Sequence, residues 1–175
     1  MKLLFSILCF LYVSIGISQN DSLESLTQQL KFLENKPFIY SSCPNHGCKG
    51  EPNRLKFDSI IEKINDTTIL NILPKSHPYV KAYLFQEIQY RSIKNIFELV
   101  KVNICDTTEV ISVRSCTINV TTLGLFSLSI YENTLSIKDK KLKKKEVKTL
   151  IDIVKNSSLL EEVKNYLLSY LDKKR

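Results

Sequence analysis

Residues Ser76 to Ile104 (SHPYVKAYLFQEIQYRSIKNIFELVKVNI) hold the longest run of apolar side chains at one helical period, and that run restricts the fold more than any other feature. Ser76 can cap a helix, and Pro78 suits its first turn, where a missing amide hydrogen costs nothing. Val80, Leu84 and Ile88 recur every fourth residue with Tyr83 and Phe85 beside them. The spacing predicts a helix packed through one face, with Lys81, Gln86 and Gln89 turned away. After Arg91, the rhythm restarts as Ile93, Ile96, Phe97, Val100 and Ile104, a second helix with Ser92 as its cap. Two helices joined by almost no linker must fold against each other or against a third.

The run Ser76-His77-Pro78-Tyr79-Val80-Lys81-Ala82-Tyr83, with Ile69 to Leu73 before it and Leu84 and Ile88 after it, resembles the junction of a HEAT-like helical repeat. The likeness covers about one repeat, Asp66 to Tyr90. It implies stacking of paired helices and says nothing about a ligand.

Met1 to Ser18 has one early positive charge at Lys2, an apolar run from Leu3 to Ile17, and small residues at Gly16 and Ser18. This is the pattern of a secretory signal peptide cleaved near Ser18, and the run is shorter than the ~20 apolar residues of a spanning helix. The expected location is therefore secreted or periplasmic. Residues 19–175 have the length of one domain, read as an N-terminal helix and cysteine-containing loop over 19–53 and a helical domain over 54–175. Only 4 glycines and 5 prolines among 175 residues argue against an all-β chain with many tight turns.

Asn20 to Asn35 reads as a helix with Leu23, Leu26, Leu30 and Leu33 on one face, stopped by Lys36-Pro37, and Phe38 to Asn53 reads as irregular. Helices are expected from Arg54 to Ile64 and from Ile69 to Leu73, the latter capped by Asp66-Thr67-Thr68. Between Asp106 and Ile130 the chain becomes β-branched. Cys116, Ile118 and Val120 alternate with Thr117, Asn119 and Thr121 as in a half-buried strand. Phe126, Leu128 and Ile130 alternate as well, but Leu123, Phe126 and Ile130 also fit a helix capped by Thr121 or Thr122; the period does not decide over 121–130, and the helical surroundings favour helix. Val147, Leu150, Ile151 and Val154 form one arm of a helical hairpin, and Ser158 to Glu161 reads as the capping box of the other. The expected class is mainly α: a small helical bundle or HEAT-like stacked helices with one irregular or β-hairpin segment near 106–120.

Once Cys9 leaves with the signal, four cysteines remain, Cys43, Cys48, Cys105 and Cys116, an even number in an oxidising compartment. Two disulfides are expected. Three connectivities are possible, and clustering in pairs favours Cys43 with Cys48 and Cys105 with Cys116. A metal site built on Cys43, His46 and Cys48 is the alternative, and export favours oxidation over it. No cofactor is expected.

From Lys138 to Arg175 there are 12 basic and 6 acidic residues, whereas residues 19–137 have 12 of each. Lys140, Lys141, Lys143, Lys144, Lys145 and Lys148 suit an anionic polymer or an anionic membrane surface, and a solvated helix start with snorkelling lysines is the favoured alternative. No aromatic residue interleaves them as base stacking requires, so no specific nucleic acid is expected. Asp21-Ser22-Leu23, Asp58-Ser59-Ile60, Asp66-Thr67-Thr68 and Asp106-Thr107-Thr108 look like the O-glycosylation acceptor pattern of exported Bacteroidota proteins, and each also suits a helix cap. The two histidines, His46 and His77, sit in turns, and no recognised nucleophile, metal or phosphate motif is present. An enzyme built on scattered carboxylates such as Glu87 and Glu98 is the remaining catalytic reading. The expected role is an exported, non-enzymatic helical domain that presents a surface to an unknown protein partner, the lysine-rich segment and the cysteine–histidine loop being the alternatives.

Overall fold

A computed structural model of the chain describes residues 23–40, 51–94, 96–114, 117–135 and 143–174. The chain is mainly α with one small sheet. Helix α4 (Pro78–Tyr90) lies at its centre, buried at Val80 and at every residue from Ala82 to Ile88. A helix this enclosed has no free polar face, so Gln86, expected to point outward, is buried and hydrogen-bonded instead. Against α4 lies α6 (Leu123–Thr134), whose residues Leu123 to Leu128 are all buried. Thr122 caps it through its hydroxyl, which accepts from the Leu125 N–H.

Around this pair the chain places α1 (residues 23–30), α2 (Pro52–Ile61), α3 (Asp66–Ile72) and α5 (Phe97–Asn103). Leu26, Leu30 and Leu33 enter the same hydrophobic cluster as α4 and α6, so α1 is part of the core. The division placed between residues 53 and 54 falls inside α2. Helices α7 (Lys144–Lys155) and α8 (Glu161–Asp172) form the hairpin expected at the C-terminus, with Val147, Leu150, Val154, Leu167 and Leu171 buried. Tyr131 donates to Glu146 at 3.0 Å and Lys174 pairs with Glu132 at 2.9 Å, fastening the hairpin to α6.

Several termini differ from the sequence reading. His77, not Ser76, caps α4, its Nδ1 accepting from the Tyr79 N–H at 3.4 Å, while the Ser76 hydroxyl donates to the Ile72 carbonyl. Asn65, not Asp66, caps α3. Asp58 lies within α2, where it pairs with Arg54. Helix α8 starts at Glu161 without a side-chain cap, so the box expected from Ser158 is not made. Ser92 does not start α5. It has φ 55° and ends α4: Ser92 N–H donates to Gln89 O and Ile93 N–H to Ile88 O, which is a Schellman closure. Ile93 and Ile96 are buried from an irregular segment, and α5 begins only at Phe97.

Strands β1 (Phe38–Tyr40), β2 (Glu109–Arg114) and β3 (Thr117–Thr122) form a sheet in that order, β1 parallel and β3 antiparallel to β2. The first strand arises in a stretch read as irregular. Three residues are too few to show a period, and parallel pairing brings its partner from about 70 residues away. Ile39 and Val110 are the residues of β1 and β2 that face the core, both fully buried.

Candidate functional site

The phase of the ladder decides what the sheet offers outward. Leu123 N–H donates to Thr108 O at 2.8 Å, and Ile111 N–H donates to Pro37 O on the other side at 3.1 Å. In an antiparallel ladder hydrogen-bonded and non-bonded pairs alternate. Val110–Thr121, Ser112–Asn119 and Arg114–Thr117 are therefore the bonded pairs. Ile118 and Val120 belong to the other set, and their N–H and C=O groups point away from β2 along an open edge.

The same two residues carry exposed apolar side chains, Ile118 at 64 % and Val120 at 61 %. Register and pleat put them on one face with their partners across the sheet. One row is Phe38, Ile111 and Val120, and the next is Tyr40, Val113 and Ile118. Phe38 is 44 % exposed, and the remaining members are half-buried. The outer face is thus apolar, while on the inner face Ile39 and Val110 are buried and Thr117 and Asn119 are exposed.

The two edges of the sheet are treated differently. On β1 the Phe38 carbonyl accepts the Tyr83 hydroxyl at 3.2 Å, so α4 closes that edge. Burial first, then the nearby Glu51 carboxylate, pushes the Tyr83 phenol up to about 12 and keeps it a donor. Strand β3 has no such cover among the described residues and contains no charge or proline, the usual guards of an edge. The alternation of Ile118 and Val120 was legible in the sequence, but as a half-buried strand. Period two shows that one face is apolar and cannot show that it faces solvent.

The lysine cluster falls partly within the described residues. Lys143, Lys144, Lys145 and Lys148 are exposed at the start of α7 and form no ion pair among the described residues, outside which Lys140 and Lys141 lie. Glu146 accepts from the Lys143 N–H at 3.0 Å and is the only acidic side chain in that first turn. Lysines at the positive end of a helix dipole raise the local potential.

Cys43, His46, Cys48 and Cys116 also lie outside the described residues. Cys105 is half-buried with a free thiol, and no disulfide occurs among the described residues. Nor does any group of three His, Cys, Asp or Glu side chains among them stand close enough for a metal ion.

The carboxylates have structural partners. Glu98 is exposed and pairs with Lys101. Glu87 is buried between two guanidinium groups, Arg91 at 2.7 Å and Arg54 at 3.5 Å. Arg54 also meets Asp58 and Gln86, both at 2.7 Å, and Arg91 reaches Asp66 and the Ile61 and Ile64 carbonyls. A cleft of about 320 Å³ between α1 and α3 is lined by Leu23, Glu24, Thr27, Asn71, Ile72 and Lys75. Its one hydroxyl, on Thr27, is spent on the Leu23 carbonyl. None of the described helices is long and apolar enough to cross a membrane. Set against family models, curated proteins and solved structures, the chain matches none.

Proposed function

We propose that this chain is an exported, non-enzymatic domain that presents a protein-interaction surface, formed by the outer face of the sheet and its β3 edge. The observation that carries the reading is the exposure of Ile118 and Val120 at 64 % and 61 % beside Phe38 at 44 % on one sheet face. Large apolar side chains grouped on a surface mark contact sites, whereas scattered ones do not. The backbone groups unpaired at the same two residues supply directional hydrogen bonds, which apolar area alone lacks. Helix α4, which packs on β1, is the scaffold that holds this surface.

A photoreactive residue at position 118 of the protein exported through its own leader tests this. Protein adducts should form there and not at a control position such as Glu161 on α8. Absence of adducts at 118, or equal yields at the two positions, contradicts the reading.

A second reading rests on the unpaired Lys143, Lys144, Lys145 and Lys148 at the start of α7: the segment from 138 to 148 binds an anionic polymer or an anionic membrane surface. Binding to polyphosphate or to anionic vesicles should weaken steeply with salt. It should fall further when Lys143, Lys144 and Lys145 are replaced by glutamine. Salt-insensitive or absent binding removes this reading.

A further inference from the structure

From the open edge of β3 we infer that a second copy of this chain is its occupant, added as an antiparallel strand about a two-fold axis through Asn119. This rests on the presented-surface reading and names its partner. The outward backbone groups include those of Ile118 and Val120, the two neighbours of Asn119. Antiparallel pairing centred on Asn119 sets Ile118 opposite Val120 of the second copy, and the reverse. The four outward N–H and C=O groups of Ile118 and Val120 in each copy are then paired within one isologous contact.

Side-chain placement agrees with that axis. Ile118 would lie beside Val120 of the second copy on the apolar face. The row Phe38–Ile111–Val120 would run on into Ile118, Val113 and Tyr40 of the second copy, giving one six-stranded sheet with a continuous apolar face. On the opposite face the two Asn119 amides would meet, each able to donate and accept. Strand β3 has no lysine, proline or inward charge to prevent the contact. Other extended segments pair with such an edge through the same backbone groups, and a second copy is the partner that sets Ile118 against Val120 and Asn119 against Asn119. Two six-residue strands meeting edge to edge bury less than the roughly 800 Å² per partner of a standard interface. The dimer is therefore concentration-dependent.

The test is sedimentation equilibrium of the mature protein over a range of concentrations, with three variants. Ile118→Lys puts a charge in the contact. Val120→Pro removes one outward N–H and leaves the β2 ladder its bonds, a substitution an edge strand accepts. Each should weaken association at least about tenfold, with helical circular dichroism unchanged. Asn119→Cys should link two copies, because non-bonded antiparallel pairs bring Cα atoms to about 4.5 Å, within disulfide reach. Peptide mapping should find the 119–119 bridge. A monomer at all concentrations, or a dimer indifferent to these variants and unlinked at 119, overturns the inference. A monomer whose photoreactive residue at 118 still captures another protein sinks self-pairing and leaves the presented-surface reading standing.

Discussion

Ser92 holds φ 55°, a left-handed conformation that costs a side-chain-bearing residue about 1 kcal/mol or more. It does so because both closing hydrogen bonds of α4 and the burial of Ile93 depend on the turn. Its side chain is exposed, so little is lost by removing it. Ser92→Gly should therefore stabilise the protein by about 0.5–1 kcal/mol in denaturant unfolding, and an unchanged or lower midpoint would contradict the closure described. Serine before an apolar run reads as a helix start, and only the backbone angle shows that it is a stop. Tyr83 and Tyr131 make a second prediction at this scale. Burial is the larger cause at both, reinforced at Tyr131 by its bond to Glu146, and each phenol is held up at about 12. The folded state then keeps protons that the unfolded chain loses near pH 10. Their contribution is intact below pH 10 and is lost as pH rises towards 12. Spectrophotometric titration should show a late phase of two tyrosines, and Tyr83→Phe together with Tyr131→Phe should remove it.

Helices α2, α3 and α4 are joined by charge as well as by apolar packing. Arg54 and Glu87 are 4 % and 8 % exposed, so removing one partner strands buried charge. Arg54→Ala should cost about 3 kcal/mol. The double variant with Glu87→Ala should cost less than the sum of the two single changes, because they share one network. Additive losses would mean that the groups do not act together. Helices α5 and α6 meet differently. A Cβ on Gly124 would stand 2.8 Å from the Ile104 carbonyl carbon and 2.9 Å from the Asn103 oxygen, both backbone atoms. Gly124→Ala should therefore destabilise by at least about 2 kcal/mol through overpacking, measured by the same unfolding experiment. Most helices were legible because Leu26, Leu30 and Leu33, or Val147, Leu150 and Val154, keep one period over several turns. Gln86 and Glu87 were not, since a central helix buries its polar residues wherever a partner from another element exists, and Arg54 lies 32 residues away.

For the whole molecule, one hydrophobic cluster runs from Leu26 to Leu171, and the small sheet at its side groups exposed Phe38, Ile118 and Val120 on one face. The sequence shows the alternation of β3 but not its outward orientation, which is set by Ile39 and Val110 filling the inner face and by Tyr83 closing the far edge. The central claim is that Ile118 and Val120 present an open edge. Residue-resolved amide hydrogen exchange on the mature protein tests it most directly. In dilute solution the Ile118 and Val120 amides should exchange fast while Asn119 and Thr121, bonded to β2, are protected, and raising the concentration should slow only the first pair. Protection of Ile118 and Val120 in dilute solution, with Asn119 and Thr121 exchanging freely, would reverse the phase of the ladder and contradict the account.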